Sequence, residues 1–147
     1  MNKPRVYIDG QEGTTGLRIR ELLAARDDLD VMLIPVEHRK DDEVRRQYLN
    51  DADLAILCLP DEAAAAAIGM VTPSAGTRII DTSTVRRVSE DWVYGVPELS
   101  AQQRQAIRVA DRVANCGCYP VGFLLAVRPL IEAGLLADDV ALTINAV

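Results

Sequence analysis

Residues 6–20 read VYIDGQEGTTGLRIR, and this stretch decides the fold. Val6-Tyr7-Ile8 predicts a short buried strand, and Gly10, Gly13 and Gly16 follow it in a tight turn. The apolar residues after the turn recur at helical spacing, so a helix is predicted directly behind the glycines. A strand, a glycine turn and a helix in this order are typical of the first unit of a dinucleotide-binding fold.

The rest of the chain repeats the alternation of short apolar runs with amphipathic segments. Further strands are predicted at 31–34, 54–59, 78–81, 109–114 and 140–147. Helices are predicted at 41–49, 61–67, 101–108 and 120–133, and residues 85–100 are expected to be irregular. This pattern predicts an α/β protein with a Rossmann-like, doubly wound parallel sheet, in which all strand-to-helix turns share one edge.

The composition is that of a globular domain, with 49% hydrophobic and 26% charged residues among 147. A net charge of −6 argues against a broad nucleic-acid or membrane surface, but it allows a local cationic pocket. No signal peptide or run of ~20 apolar residues is present, so a cytoplasmic protein is expected. Three cysteines, Cys58, Cys116 and Cys118, make a poor disulfide framework and suit a reducing compartment.

The glycine turn is the first candidate site. Glycines there allow a sharp bend and let the backbone approach a pyrophosphate at the helix N-terminus. The spacing is G-x-x-G-x-x-G, whereas the usual fingerprint is G-x-G-x-x-G, and a purely structural turn is the alternative. The predicted cofactor contacts are Gly10, Gly13, Thr14, Thr15 and Gly16.

The second candidate is Glu37-His38-Arg39-Lys40, after the second strand. An acidic residue at this place holds the ribose of NAD, while arginine accommodates the 2′-phosphate of NADP. Both kinds are present, and a solvated loop is the alternative. The adjacent cations Arg39 and Lys40 favour NADP, and His38 is expected to be a surface residue.

The third candidate is Asn115-Cys116-Gly117-Cys118-Tyr119-Pro120. A thiol at a helix start is favoured as thiolate by the helix dipole, and Pro120 suits the first helical turn. Cys118 is therefore the candidate nucleophile, against the alternative that Cys116 and Cys118 are small buried residues. Cys58 closes an apolar strand and is expected in the core, and no metal site is predicted.

Together these segments resemble the short form of N-acetyl-gamma-glutamyl-phosphate reductase, from arginine biosynthesis. The resemblance runs in order along nearly the whole chain. It is carried by VYIDGQEGTTGLRIR (6–20), ADLAILCLPD (52–61), IDTSTVRR (80–87), WVYGVPEL (92–99), VANCGCYPVG (113–122) and LIEAGLL (130–136).

The resemblance implies that Cys118 is the catalytic thiol. It would attack the acyl phosphate of N-acetylglutamyl 5-phosphate, expel phosphate and form a thioester. Hydride from NADPH would then lead to N-acetylglutamate 5-semialdehyde. Pro60 and Ser83 are further expected cofactor contacts, and Asn115 is an expected substrate contact.

The chain departs from the family in three respects. Cys116 stands where the family usually has proline, and Arg86 where relatives tend to have histidine. Family members also continue well beyond this length and carry an acid/base histidine there. We therefore expect residues 1–118 to form the NADP-binding domain and residues 119–147 to begin an incomplete α+β substrate domain.

The expected partners are the acyl phosphate substrate and phosphate, with no nucleic acid or membrane, and a homo-oligomer in the full-length enzyme. The present chain is expected to be inactive alone. Two alternatives stay open: an enzyme similar to aspartate-semialdehyde dehydrogenase, and a non-catalytic nucleotide-binding fragment.

Overall fold

The computed structural model describes residues 2–137 and 139–145. Within them, six strands form one sheet and five α-helices connect or follow the strands. The strands are β1 (Arg5–Asp9), β2 (Asp30–Met32), β3 (Leu54–Leu57), β4 (Arg78–Asp81), β5 (Val93–Gly95) and β6 (Arg112–Asn115). The α-helices are α1 (Thr14–Ala24), α2 (Asp42–Asp51), α3 (Asp61–Met70), α4 (Gln103–Val109) and α5 (Cys118–Glu132). Short 3-10 helices lie at Val36–His38 and Pro73–Ala75.

All strand pairs are parallel, and the strand order is β2-β1-β3-β4-β6-β5. The order reverses between β1 and β3, because the chain moves outward to β2 and then returns past β1. Right-handed crossovers place α1 on one face of the sheet, and α2 and α3, which contact each other, on the opposite face. The predicted Rossmann-like α/β fold is confirmed.

The main core lies between the sheet and the helices α2 and α3. Small and branched side chains of the inner strands meet the buried faces of these helices, and the ring of Tyr7 packs 5.3 Å from that of Tyr48. The fully buried strand residues on this side of the core are Tyr7, Ala55, Leu57, Ile79 and Ala114. Alanine supplies so much of this core that the helices can pack closely on the sheet.

Two sequence predictions are wrong. The predicted strand at 140–147 is absent from residues 140–145, which pair with no described strand, and residues 146 and 147 lie outside the described residues. Apolar residues alone do not make a strand without a neighbour to accept its hydrogen bonds. Residues 85–100 are not wholly irregular, because they contain β5 at one end of the sheet.

Helix α5 is apolar, yet none of its 15 residues is fully buried. Leu125, Leu130 and Tyr119 are among its exposed large side chains. Within residues 2–137 and 139–145, every helix falls short of the length and apolar character that a membrane span requires.

Candidate active site

The glycine turn joins β1 to α1 and packs tightly against β3. Gly10 has a φ of +88°, and a Cβ atom there would lie 2.3 Å from the carbonyl oxygen of Cys58. A Cβ on Gly16 would lie 2.1 Å from the carbonyl oxygen of Gly10. The fold itself therefore requires the first and third glycines. Gly13 differs, because a Cβ there would meet its nearest atom at an ordinary 3.4 Å.

The N-terminus of α1 is left without a cap. Gly13 occupies the N-cap position, no side chain accepts a hydrogen bond from the first turn, and no acidic residue lies in that turn. The first intrahelical bond runs from the Leu17 N–H to the Gly13 oxygen. The N–H groups of Thr14, Thr15 and Gly16 precede it and have no intrahelical acceptor. Uncapped N–H groups and the positive end of the helix dipole make this turn suitable for an anion.

A cavity of about 340 Å³ lies beside this turn. Its lining includes the turn itself, Leu59 two residues after β3, and the cations Arg39 and Lys40. Arg39 and Lys40 form no ion pair with any residue that the structure describes. The cavity thus brings an uncapped helix start together with two exposed cationic side chains.

A buried ion pair forms part of the cavity lining. Asp9 accepts a hydrogen bond of 2.9 Å from the Arg45 guanidinium, and both side chains are nearly inaccessible, at 5% and 11% exposed. Burial lowers the pKa of Arg45, but the hydrogen bond and charge of Asp9 outweigh it and leave the pKa above its usual value. Burial also raises the pKa of Tyr7, whose hydroxyl donates to Asp9. The pair links α2 to the end of β1.

The loop after β4 is held by two carboxylates. Ser83 is buried, and both its N–H (3.0 Å) and its hydroxyl (2.7 Å) donate to Asp81. Thr84 donates from its N–H (2.9 Å) and its hydroxyl to Asp61 at the start of α3, and these bonds hold the pKa of Asp61 below its usual range. The Ser83 hydroxyl therefore already has a protein partner, and its contact with a cofactor stays a prediction.

Cys118 is the first residue of α5 and is exposed. Gly117 precedes it in an extended conformation as the N-cap, without a side-chain cap and without an acidic residue in the first turn. The first helical bond runs from the Val121 N–H to the Gly117 oxygen, so the N–H groups of Cys118 and Tyr119 have no intrahelical acceptor. An exposed thiol at an uncapped helix start is favoured as thiolate and is open to a substrate.

Arg87 is a site residue that the sequence analysis did not single out. Its guanidinium donates to the carbonyl oxygens of Thr82 (3.0 Å) and Asn115 (3.2 Å), at the ends of β4 and β6. Its Nη1 would lie 2.8 Å from a Cβ on Gly117, so it stands directly against the turn that leads to Cys118. The only feature of the sequence that could have pointed to Arg87 is the basic pair Arg86-Arg87 in a polar loop after a strand.

The other two cysteines differ from Cys118 in exposure. Cys58 and Cys116 are both half-buried. Burial raises the pKa of the Cys58 thiol to about 11, and the nearby Asp9 adds to the effect. The raised pKa disfavours the Cys58 thiolate at neutral pH. The predicted core position is not met, because Cys58 is half-buried directly after β3 and is not among the buried core residues. Cys116 lies between Asn115, whose amide donates to the Cys116 carbonyl, and the N-cap glycine.

The predicted site residues fall into two groups along one edge of the sheet. The register aligns Asp9, Leu57, Asp81 and Ala114 across β1, β3, β4 and β6, so the residues that follow them share this edge. One group is at the end of β1 and its neighbours: Gly10, Gly13, Thr14, Thr15, Gly16, Arg39, Lys40 and Pro60. The other is at the ends of β4 and β6: Ser83, Asn115 and Cys118. The ends of β1 and β6 are three strand spacings apart, about 14 Å.

Known proteins resemble this chain over nearly its full length. N-acetyl-gamma-glutamyl-phosphate reductases of Brucella ovis and Brucella canis are each 52% identical over 145 residues, which are 99% of this chain and 47% of the relative. The resemblance to this reductase is therefore confirmed, and the chain spans about half the length of the curated relatives it matches. Among solved structures, aspartate semialdehyde dehydrogenase II from Vibrio cholerae superimposes with a TM-score of 0.66 at 21% identity. The superposition covers 90% of this chain and 43% of the other, and at this identity the likeness concerns the fold alone.

A family match covers the middle of the chain, including part of the cavity lining but neither uncapped helix start. Residues 33–107 match the family described as semialdehyde dehydrogenase, NAD binding domain. This match begins directly after β2, includes the cationic loop and ends within α4. Since it covers just over half of the residues, the chain belongs to the semialdehyde dehydrogenase NAD-binding domain family.

Proposed function

We propose that this chain is the NADP-binding part of an N-acetyl-gamma-glutamyl-phosphate reductase, with Cys118 as its catalytic thiol. The observation that carries the proposal is the placement of an exposed cysteine at an uncapped helix start, on the same sheet edge as the glycine turn and its cationic cavity. The reaction we propose is the reduction of N-acetylglutamyl 5-phosphate to N-acetylglutamate 5-semialdehyde, in arginine biosynthesis, and the name of the relatives above supports this substrate.

The residues present fit a nicotinamide dinucleotide. Gly13, which the packing does not require to be glycine, leaves the N-terminus of α1 open to a pyrophosphate. Thr14 and Thr15 are exposed in the first turn and can donate to the same phosphates. Pro60 is exposed at the start of α3 and borders the path between the two groups of site residues. A distance of about 14 Å between the two groups is within the length of a dinucleotide.

NADP is proposed in preference to NAD because of the two cations at the cavity. Arg39 and Lys40 lack ion-pair partners among the described residues, so their charges are available to a 2′-phosphate. Arg45, the third cation lining the cavity, is already bound to Asp9 and Asp42. A guanidinium beside an ammonium recognises a phosphate dianion far better than a neutral ribose hydroxyl.

At the other group, the Cys118 thiolate would attack the carbonyl carbon of the acyl phosphate. The carbon–oxygen bond to phosphate breaks, phosphate leaves with its electron pair, and a thioester forms on Sγ. The N–H groups of Cys118 and Tyr119 lie where they can stabilise the oxyanion of this step. The Arg87 guanidinium, fixed between Thr82 and Asn115, is suited to hold the phosphate or carboxylate of the substrate. When bound, the reduced cofactor supplies the hydride that the thioester carbon requires.

The division of the chain is part of the proposal. Residues 1–118 would form the cofactor domain, and residues 119–147 would begin the substrate domain. Helix α5, apolar but nowhere fully buried, is in keeping with a segment that another part of a full-length enzyme covers. We also propose that the chain alone binds NADP without catalysing turnover, because the resemblance implies an acid/base histidine in the part of the relatives that this chain does not span. We also propose a cytoplasmic enzyme that forms a homo-oligomer when full length.

Cofactor binding is tested by titrating the chain with NADP+ and NAD+ in a calorimeter under reducing conditions. We expect saturable binding that favours NADP+, and Arg39→Gln combined with Lys40→Gln should remove that preference. The control combines Lys3→Gln with Arg46→Gln, two exposed cations outside the cavity, and should leave it intact. A folded chain that binds neither nucleotide would refute the cofactor assignment.

The chemistry is tested on a full-length version by phosphate-dependent oxidation of the semialdehyde. Cys118→Ser should abolish the reaction, while Cys116→Ser should retain it. Faster turnover of aspartate semialdehyde than of N-acetylglutamate 5-semialdehyde would instead assign the protein to the related dehydrogenase. Turnover by the 147-residue chain alone would contradict the proposed need for the remaining part.

A further inference from the structure

Gln11 makes a pair of hydrogen bonds that neither the sequence motif nor the proposed chemistry accounts for. Its side-chain Nε2 donates to the Ile34 carbonyl (3.0 Å), and the Ile34 N–H donates to its Oε1 (3.2 Å). Gln11 is only 5% exposed and Ile34 only 4%. Buried peptide groups require partners, and a single amide side chain satisfies both groups of one residue.

These bonds extend the sheet beyond the end of β2. The ladder between β1 and β2 ends at the pair Tyr7 and Met32, two residues before Ile34. The Gln11 amide makes the two hydrogen bonds to Ile34 that a neighbouring strand would otherwise make. The chain that follows β2 is therefore fixed to the glycine turn. Within the described residues, no other hydrogen bond to the Ile34 peptide groups is present.

The segment fixed in this way carries the cations of the cavity. It runs from Ile34 through the 3-10 helix Val36–His38 to Arg39 and Lys40. Its far end is held by α2, where Arg45 binds Asp9. The segment is thus attached at both ends to the chain around the end of β1, and Gln11 supplies the attachment nearer to β2.

The glycine turn does not depend on the Gln11 side chain. The Gly13 N–H donates to the Gly10 oxygen (3.0 Å), and the Cys58 N–H donates to the Asp9 oxygen (2.8 Å). These backbone bonds hold the phosphate cradle whether or not the Gln11 amide is present. Loss of the amide should therefore move the cationic segment while leaving the pyrophosphate site in place.

We propose that Gln11 is a positioning residue for cofactor selectivity: its double hydrogen bond to Ile34 holds Arg39 and Lys40 at the distance from the glycine turn that a 2′-phosphate requires. The inference rests on the proposed function, because it presupposes that Arg39 and Lys40 bind this phosphate. It deepens that function by naming the group that fixes them.

The test is calorimetric titration of the protein with NADP+ and with NAD+, comparing the parent with Gln11→Met. Methionine has similar length and no amide, so both bonds are lost with little change in volume. Loss of two buried hydrogen bonds should weaken NADP+ binding about tenfold and NAD+ binding less than about twofold. Gln47→Met, the same substitution at an exposed position on α2 outside the cavity, is the control and should change neither affinity.

Thermal unfolding of each variant shows whether it is folded at the titration temperature. Should Gln11→Met fail to fold, Gln11→Asn retains an amide that is one methylene shorter, and it should shift the preference in the same direction by a smaller factor. An unchanged ratio of the two affinities in a folded variant, whether both fall or neither does, overturns the inference alone. A parent without preference for NADP+ overturns the proposed cofactor and this inference with it.

Discussion

Replacing Gly16 by alanine places a methyl carbon where the structure leaves no room for one. The new Cβ would lie 2.1 Å from the Gly10 oxygen, 2.8 Å from the Gly10 carbonyl carbon and 2.9 Å from the Gln11 Cα. Ordinary contacts begin near 3.4 Å, so the backbone of the turn must open by about 1.3 Å. All three contacts are backbone atoms, which cannot rotate away as a side chain would. We expect a loss of about 3 kcal/mol, at the upper end of the cost of overpacking.

Urea denaturation followed by circular dichroism measures this loss. With a urea m-value of about 1.5–2 kcal/mol/M, the midpoint of Gly16→Ala should fall by about 1.5–2 M. Gly69→Ala is the matched control, because Gly69 lies in α3 and a Cβ there meets no atom within 4 Å. It should raise the free energy of unfolding by about 0.5–1 kcal/mol, since alanine is the better helix former.

The two alanine variants should therefore move in opposite directions. Equal midpoints for Gly16→Ala and the parent would refute the close packing of the turn on the start of α1. A fall for both variants would instead show that the helix geometry around Gly69 differs from the one described.

Two further substitutions and one labelling reaction test the site. Gly13→Ala should keep the free energy of unfolding within about 0.5 kcal/mol of the parent. It should weaken dinucleotide binding more than tenfold in a calorimetric titration, and equal binding would place the pyrophosphate elsewhere. Arg45→Met should lower the free energy of unfolding by about 3–5 kcal/mol in urea denaturation, because its carboxylate partner stays buried. The control Arg46→Met, in an exposed pair at 3.9 Å, should lower it by less than about 0.5 kcal/mol. Similar losses for the two variants would refute the burial of the Arg45–Asp9 pair. Iodoacetamide at pH 8 should label the exposed Cys118 well before Cys58, because the Cys58 thiol has a pKa of about 11 and is mostly protonated at that pH. Mass spectrometry of the labelled peptides gives the order of labelling. Early labelling of Cys58 at pH 8 would contradict this prediction.

The features that the sequence predicted well are those that depend on neighbouring residues. The glycine turn, the strand Arg78–Asp81 and the helix that begins at Asp61 follow from local patterns, and the structure contains each of them. The parallel sheet follows from their alternation. Cys118 at a helix start was also predictable, because Gly117 and Pro120 frame the start of a helix on either side of it.

The features that the sequence did not predict depend on contacts between distant residues. Gln11 binds Ile34, 23 positions away, and Arg87 binds Asn115, 28 positions away, and no periodicity reports such a pair. The strand Val93–Gly95 is only three residues long and exists because β6 offers it a partner. The apolar residues at 140–145 have strand-forming character but no such partner, so the expected strand is missing.

The uncapped starts of α1 and α5 set a limit on how far this protein can be stabilised without harm. Placing aspartate at Gly13 would be an obvious choice for thermostabilisation, since its cap is a few tenths of a kcal/mol better than that of glycine and its charge at a helix start adds about 0.3–1 kcal/mol. The same carboxylate would repel the phosphate for which we propose this helix start. At Gly117 a side chain would also have to displace Arg87, whose Nη1 lies 2.8 Å from the position of a Cβ atom. Screening variants for thermal stability alone would therefore select against function at Gly13. This is the trade-off expected where a residue that binds a ligand is not the residue that would make the fold most stable.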